Sequence, residues 1–205
     1  MIHQINQKVF EKFMVLETPN LILRELKLSD KERVLELHSS KAVNRFIYRQ
    51  NVNSLEDASR YIEMLQNFYK KKWAIPWAAT KKGTDELVGI CSFNPIDIKN
   101  HRAEIDGELL PELWRTRLGV EGFLALLRFG FETMKLHSVS AKVYPENKST
   151  VSLLEKFGFQ REGHFKDRMF INGQYRDMYI YSLIKGNQTI DKLIEKYLTV
   201  YEEVS

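Results

Sequence analysis

The sequence predicts one mixed α/β domain. Three observations predict it. The chain has 205 residues and 43% hydrophobic residues, enough for one substantial core. Runs with the two-residue alternation of strands take turns with runs spaced 3 or 4 apart, the period of a packed helix. No repeat, low-complexity tract or linker divides them.

The elements follow in order. Residues 20–27 (NLILRELK) read as a strand, and Ser29, Asp30, Lys31 and Glu32 then open a helix with a capping-box composition. Val34, Leu35 and Leu37 suit that short helix. A second helix starts after Ser54 as N-cap and runs to about residue 71, with Ala58, Tyr61, Ile62 and Leu65 on one face. Strands at 75–80 and 87–93 flank the turn residues Lys82, Gly83, Thr84 and Asp85. A strand at 101–110 precedes a long helix at 118–134, whose Val120, Phe123, Leu124, Leu127, Phe131 and Met134 form a packing stripe. A strand at 137–144 and a helix at 148–157, closed by Gly158, come next. Asn172 and Gly173 between two strand-like runs signal a hairpin. The order β-α-α-β-β-β-α-β-α-β-β gives about seven strands.

Both termini add apolar spacing. Ile5, Val9, Phe10 and Phe13 suit a short helix within an N-terminal extension, residues 1–15. Ile190, Leu193, Ile194, Tyr197, Leu198 and Tyr201 suit an amphipathic helix within residues 186–205. Such helices dock on their own domain or form a dimer contact, so monomer and homodimer are both open.

Charge and composition bound the function classes. Charged residues make up 28%, and the net charge is +4 with a pI near 9.0. Lys70, Lys71 and Lys72, with Lys81 and Lys82, suit a solvated helix end and a hairpin turn, or attraction to a polyanion. No recognised nucleic-acid motif accompanies them. No apolar run reaches the roughly 20 residues of a membrane helix, and the start lacks the build of a signal peptide. A cytoplasmic protein with no membrane contact is the expectation. The lone Cys91 excludes an internal disulfide, and the five histidines show no ligand spacing, so no metal is expected. Most of them read as surface or boundary residues.

The stretch 103–122 carries the chemistry. In a strand, Glu104, Asp106 and Glu108 share one side. Such a strip is either a solvated face or a set of acids whose mutual repulsion raises a pKa, as a general base acting on a cationic amine needs. Residues 111–122 (PELWRTRLGVEG) then form a loop that opens a helix. Free backbone N–H groups and the helix dipole make that start an anion site, and Arg115 and Arg117 add two fixed cations suited to a pyrophosphate. Asn147 is a natural N-cap, with Thr150 three residues on.

These residues, in this order, resemble the GNAT superfamily of acetyltransferases, most closely its ribosomal-protein N-acetyltransferase (RimJ/RimL-type) branch. The resemblance rests on residues 17–24 (ETPNLILR), 102–105 (RAEI), 111–114 (PELW), 145–147 (PEN), 154–159 (LEKFGF) and 171–173 (ING). It spans roughly residues 16–185 and leaves both termini outside. It implies a mixed, mostly antiparallel sheet flanked by helices, whose splayed central strands hold acetyl-CoA as co-substrate. The acyl-CoA loop pattern Q/R-x-x-G-x-G/A falls on Trp114, Arg115, Thr116, Arg117, Leu118 and Gly119, with Val120 following in the helix. Pantetheine is expected between the strand end around Glu108, Leu109 and Leu110 and the end of residues 141–144.

By the same resemblance, Asn147 contacts the cofactor arm, Glu104 is the general base, and Thr150 or Tyr144 protonates the departing thiolate. Trp114 stands where many members carry Arg or Gln, and Arg117 where the pattern has glycine. A positive φ at 117 would set the arginine against the loop. A helical φ would let its guanidinium add a phosphate contact.

The implied reaction is N-acetylation of a primary amine. Because an α-amine loses its proton more easily than a lysine, a single carboxylate suits a protein N-terminus, with ribosomal-protein N-termini as possible partners. Polyamine or aminoglycoside acetylation is one alternative, and a non-catalytic acyl-CoA- or ribosome-binding role is another.

Overall fold

The alternating side chains of residues 75–81 (IPWAATK) show how the domain is layered. Trp77 and Ala79 enter one apolar cluster while Ala78 enters another, so this strand is covered on both faces. The computed structural model describes residues 5–47, 52–171 and 173–195. In them, eight strands form one sheet in the order β1-β2-β3-β4-β5-β6-β8-β7. They are β1 (Leu16–Glu17), β2 (Leu21–Arg24), β3 (Ile75–Lys81), β4 (Glu86–Asp97), β5 (Arg102–Leu109), β6 (Ser138–Val143), β7 (Gln160–Ile171) and β8 (Gln174–Ile184). Every neighbouring pair is antiparallel except β5 with β6.

Helices cover both faces. On one lie α1 (Lys31–Ser39), α2 (Lys41–Asn44) and α3 (Leu55–Lys70), packing Val34, Leu37, Ala58, Ile62 and Leu65 on Ala78, Leu87 and Ile90. On the other lies α4 (Leu118–Arg128), which buries Leu124, Ala125 and Leu127 with Trp77, Phe93, Ala103 and Ile105. Two further helices are α5 (Lys148–Lys156) and α6 (Gln188–Ile194). Burying one such aliphatic side chain contributes roughly 1.5–3 kcal/mol.

The sequence expectations hold for most elements. Ser54 caps α3 by accepting from the Asp57 amide at 3.1 Å. Gly158 ends α5 at φ +82°, where a Cβ would be strained. The three adjacent lysines sit at the end of α3, and Lys81 and Lys82 flank the β3–β4 turn.

Four expectations change. The two-residue β1 adds an eighth strand and α2 adds a one-turn helix; both are too short to show a period. The helix expected at 118–134 is α only to Arg128 and then widens into a π turn over Phe129–Thr133. At that turn Gly130 approaches Phe93 so closely that a Cβ would stand 2.9 Å from its ring. The N-terminal helix is a single 3-10 turn, Gln7–Phe10, although Ile5 and Val9 are buried and Phe13 packs on Tyr69 and Trp77. Ile190, Leu193 and Ile194 in α6 pack on the main core; Tyr197, Leu198 and Tyr201 lie outside the described residues, as does Asn172 of the hairpin.

Candidate active site

The parallel pairing of β5 with β6 lasts only three residues, Arg102 with Ser138, Ala103 with Val139 and Glu104 with Ser140. Beyond it β5 stays on β4 as far as Leu109, and β6 stays on β8 as far as Val143. The two strands part and leave a wedge. Each bounding strand has its sheet partner on its outer side, so its hydrogen-bonding edge faces the wedge. An amide-containing arm fits there as a strand would.

The loop after β5 closes one end of this wedge. Pro111–Leu113 makes a 3-10 turn, and the exposed Trp114 folds back to donate Nε1–H to the Leu109 carbonyl at 2.8 Å. The Leu110 amide is tied to the Val88 carbonyl at 2.9 Å. Thr116 Oγ1 donates to the Leu113 carbonyl and accepts from the Leu118 amide, which ties the loop to the start of α4. Arg117 has φ −73° and ψ −15°, ordinary right-handed helical values. The left-handed residue of the loop is Arg115, at φ +66°. The glycine-position arginine is therefore unstrained, and the unusual backbone sits two residues earlier.

A Cβ on Gly119 would meet nothing nearer than Leu109 Cδ2, at 3.9 Å. The first turn of α4, with Gly119 and Val120, thus sits beside the end of β5, and its first amides have no carbonyl within the helix to bind. These amides, the dipole behind them and the adjacent arginines fit a diphosphate.

Across the wedge, Tyr144 is buried just after β6, and its carbonyl accepts from the Asn147 amide at 2.9 Å. Asn147 Oδ1 accepts from the Thr150 amide at 3.3 Å and from Ser149 Oγ at 3.0 Å, so it caps α5. Thr150 is partly exposed in the first turn.

The acid strip lies on the face toward α1 and α3, and its members differ in environment. Glu104 Oε2 is 2.8 Å from Lys142 Nζ on β6. Glu108 Oε1 is 2.9 Å from Nε2 of His38 in α1, and both side chains are buried. The His38 ring packs edge-on to Tyr61 of α3, and its Nδ1 has no hydrogen-bond partner. The tautomer with its proton on Nε2 donates to Glu108 and leaves no buried donor unsatisfied.

Asp106 accepts from Ser92 of β4. Asp106 is the exposed member of the strip, with Glu104 and Glu108 on either side of it along the strand. Desolvation, opposed by the Ser92 hydrogen bond and helped by the charges of Glu108 and then Glu104, pushes it up to about 7.

Sequence reading located the strip, the loop and the cap. It missed His38, Lys142 and Ser92, which come from three other elements. His38 is not a boundary residue but fully buried, because β5 brings a carboxylate beneath α1. No local pattern marks any of the three.

The acetyltransferase (GNAT) domain profile matches residues 20–160. The chain belongs to this GNAT family. It is 34% identical to the uncharacterised N-acetyltransferase YoaA of Bacillus subtilis over 86% of this chain and 99% of that protein. A [Ribosomal protein uS5]-alanine N-acetyltransferase of Escherichia coli is 28% identical over 62% of this chain and 66% of its own length. A spermidine N(1)-acetyltransferase of the same organism is 26% identical over 76% and 81%. This GNAT protein is accordingly an acetyl-CoA-dependent N-acetyltransferase acting on an amine. Among the described residues no helix is long and apolar enough to cross a membrane.

Proposed function

We propose that the enzyme acetylates a singly charged α-amine, of the kind carried by a protein N-terminus. The observation that carries this reading is the compensation of the acid strip. Glu104 is matched by Lys142, and Glu108 is buried under His38. Asp106 is held by a hydroxyl and is the exposed member of the strip, just past the point where the strands part, so an incoming amine meets one carboxyl rather than three. A polyamine needs several separate anions; a single ammonium does not. The relative that acetylates an alanine of uS5 agrees with this reading. The spermidine-acetylating relative is the reason to keep polyamines as the rival.

In the reaction the neutral amine nitrogen attacks the thioester carbonyl and the tetrahedral adduct forms. A backbone N–H near residues 108–110 stabilises its oxyanion. The C–S bond then breaks, and Thr150 or Tyr144 returns a proton to the CoA thiolate. Arg115, Arg117 and the first amides of α4 hold the diphosphate, while Leu109, Leu110 and Asn147 flank the pantetheine arm.

The test is thiol release from acetyl-CoA against N-terminal peptides of ribosomal proteins, polyamines, aminoglycosides and free amino acids. The peptides are expected to give the highest kcat/KM. A preference for spermidine or an aminoglycoside over every peptide overturns the α-amine assignment.

A further inference from the structure

We infer that Asp106, rather than Glu104, is the catalytic residue that takes the proton from the acceptor ammonium, with Glu108 and His38 as the positioning residues behind it. The inference rests on reading the wedge as the amine site.

Glu104 pairs at the apex, where β5 and β6 are still hydrogen-bonded, and its Oε2 is committed to Lys142. An incoming ammonium would meet the Lys142 charge beside Glu104, whereas no cation is among the groups that set the proton affinity of Asp106. Asp106 is the next residue on the same face, the first beyond the point where the strands part. Ser92 holds its carboxyl through the hydroxyl and, more weakly, the backbone, and Asp106 is the exposed member of the strip, open to an incoming group.

The groups facing Asp106 come from five elements. Glu104 and Glu108 flank it on β5, Ser92 lies on β4, Lys142 on β6, and His38 of α1 with Tyr61 of α3 stands behind Glu108, while Cys91 of β4 lies on the opposite face of the sheet. Two neighbouring carboxylates favour the protonated form of Asp106, and the cation among these groups is spent on Glu104. Burial and the Asp106 charge also hold the Cys91 thiol protonated, so it does not compete as a base. A carboxyl titrating at about 7 lies within about one unit of an α-amine, which favours transfer between them.

The step balances. Asp106 takes one proton from the ammonium, directly or through one water, before the neutral nitrogen attacks the thioester carbon; the second N–H proton, lost as the C–S bond breaks, replaces the one that Thr150 or Tyr144 gives to the thiolate. Asp106 then releases its proton to solvent once the amide has left. His38 acts through Glu108: its buried ring, 2.9 Å from that carboxyl, holds it in place beside Asp106.

The experiment compares Asp106→Asn, Glu104→Gln and Glu108→Gln in full-length protein. Readouts are thiol release across pH 5–9, acetyl-CoA affinity by calorimetry, and ¹³C-NMR titration of the Asp106 carboxyl in unliganded protein. Asp106→Asn is expected to lower kcat by about 100-fold or more while acetyl-CoA still binds, and Glu104→Gln by less than about 10-fold. Glu108→Gln is expected to move the acid limb of the profile to lower pH, a readout that a merely structural role would not shift. Equal losses in Glu104→Gln and Asp106→Asn overturn the inference, and so does an Asp106 carboxyl that titrates near an ordinary ~3.9. If no amine in the panel is acetylated by wild-type protein, the acceptor reading fails, and the NMR titration still decides the state of Asp106.

Discussion

Lys142 Nζ lies 2.8 Å from Glu104 Oε2 across the apex of the wedge, so the first carboxylate of the strip is already paired. Removing that cation tests how charge is shared along the strip. In Lys142→Met, Glu104 is left uncompensated, and its charge raises the proton affinity of Asp106. The acid limb of the kcat/KM profile should then move to higher pH. A shift to lower pH would rule out this electrostatic account.

The same carboxyl couples function to stability. The proton affinity of Asp106 is raised in the fold, from 3.8 to about 7. A raised carboxyl costs nothing below about pH 4, where both folded and unfolded states are protonated. The folded state is penalised progressively as pH rises through 7. Asp106→Asn removes this penalty. After allowance for solvent screening in the open wedge, the variant should be more stable than wild type by about 1–2 kcal/mol at pH 8. The two should be indistinguishable at pH 4. Urea unfolding at both pH values measures the difference, and a gap that does not depend on pH contradicts the assignment.

Arg24 anchors the far side of the domain. Its guanidinium grips Asp30 through two hydrogen bonds of 2.8 and 2.9 Å, and Asp85 through Nε at 2.6 Å. The burial of Arg24 and Asp30 makes the pair costly to break. Arg24→Ala leaves Asp30 uncompensated and should cost about 3–5 kcal/mol, seen as a large fall in Tm. Arg24→Lys should recover only part of it, because an ammonium cannot reproduce the fork.

Glu121 is 2% exposed in the first turn of α4, and its carboxylate binds the chain entering β2. It accepts from Thr18 Oγ1 at 2.9 Å, Asn20 Nδ2 at 2.8 Å and the Asn20 amide at 3.2 Å. Glu121→Ala strands three donors and should cost roughly 2–4 kcal/mol. Because the same turn presents the diphosphate amides, acetyl-CoA affinity should fall with it. Calorimetry showing wild-type affinity in a destabilised variant would separate the two effects and remove the second.

Arg117 has helical backbone values, so replacing it by glycine relieves no strain. Arg117→Gly and Arg117→Ala should both weaken acetyl-CoA binding by about 3–10-fold, more at low salt than at high. Tighter binding in the glycine variant would show that the arginine obstructs the loop.

What could be read in the chain was what depends on neighbours along it. The Ser54 cap, the Gly158 C-terminus, the shared face of Glu104, Asp106 and Glu108, and the strand-loop-helix at 103–122 all follow from local spacing. Asp106 was visible as one of three acids, but nothing local ranks it above Glu104. That ranking depends on Lys142, 38 positions later in the chain, and on His38, 70 positions before Glu108. The N-terminal segment has the spacing of a helix yet forms one 3-10 turn, because Ile5 and Val9 are buried, and Phe13 half-buried, by docking rather than by a regular face.

The sequence by itself determined most of the elements, their order and the family, since periodicity, caps and motifs are short-range properties. Only the tertiary structure decided where β5 and β6 part, which carboxyl stands free at that point, and that Arg117 is helical while Arg115 takes the left-handed turn. The physical reason is that a charge's protonation, and a loop's backbone, are set by what surrounds them in space. Those surroundings come from strands and helices far apart in the chain.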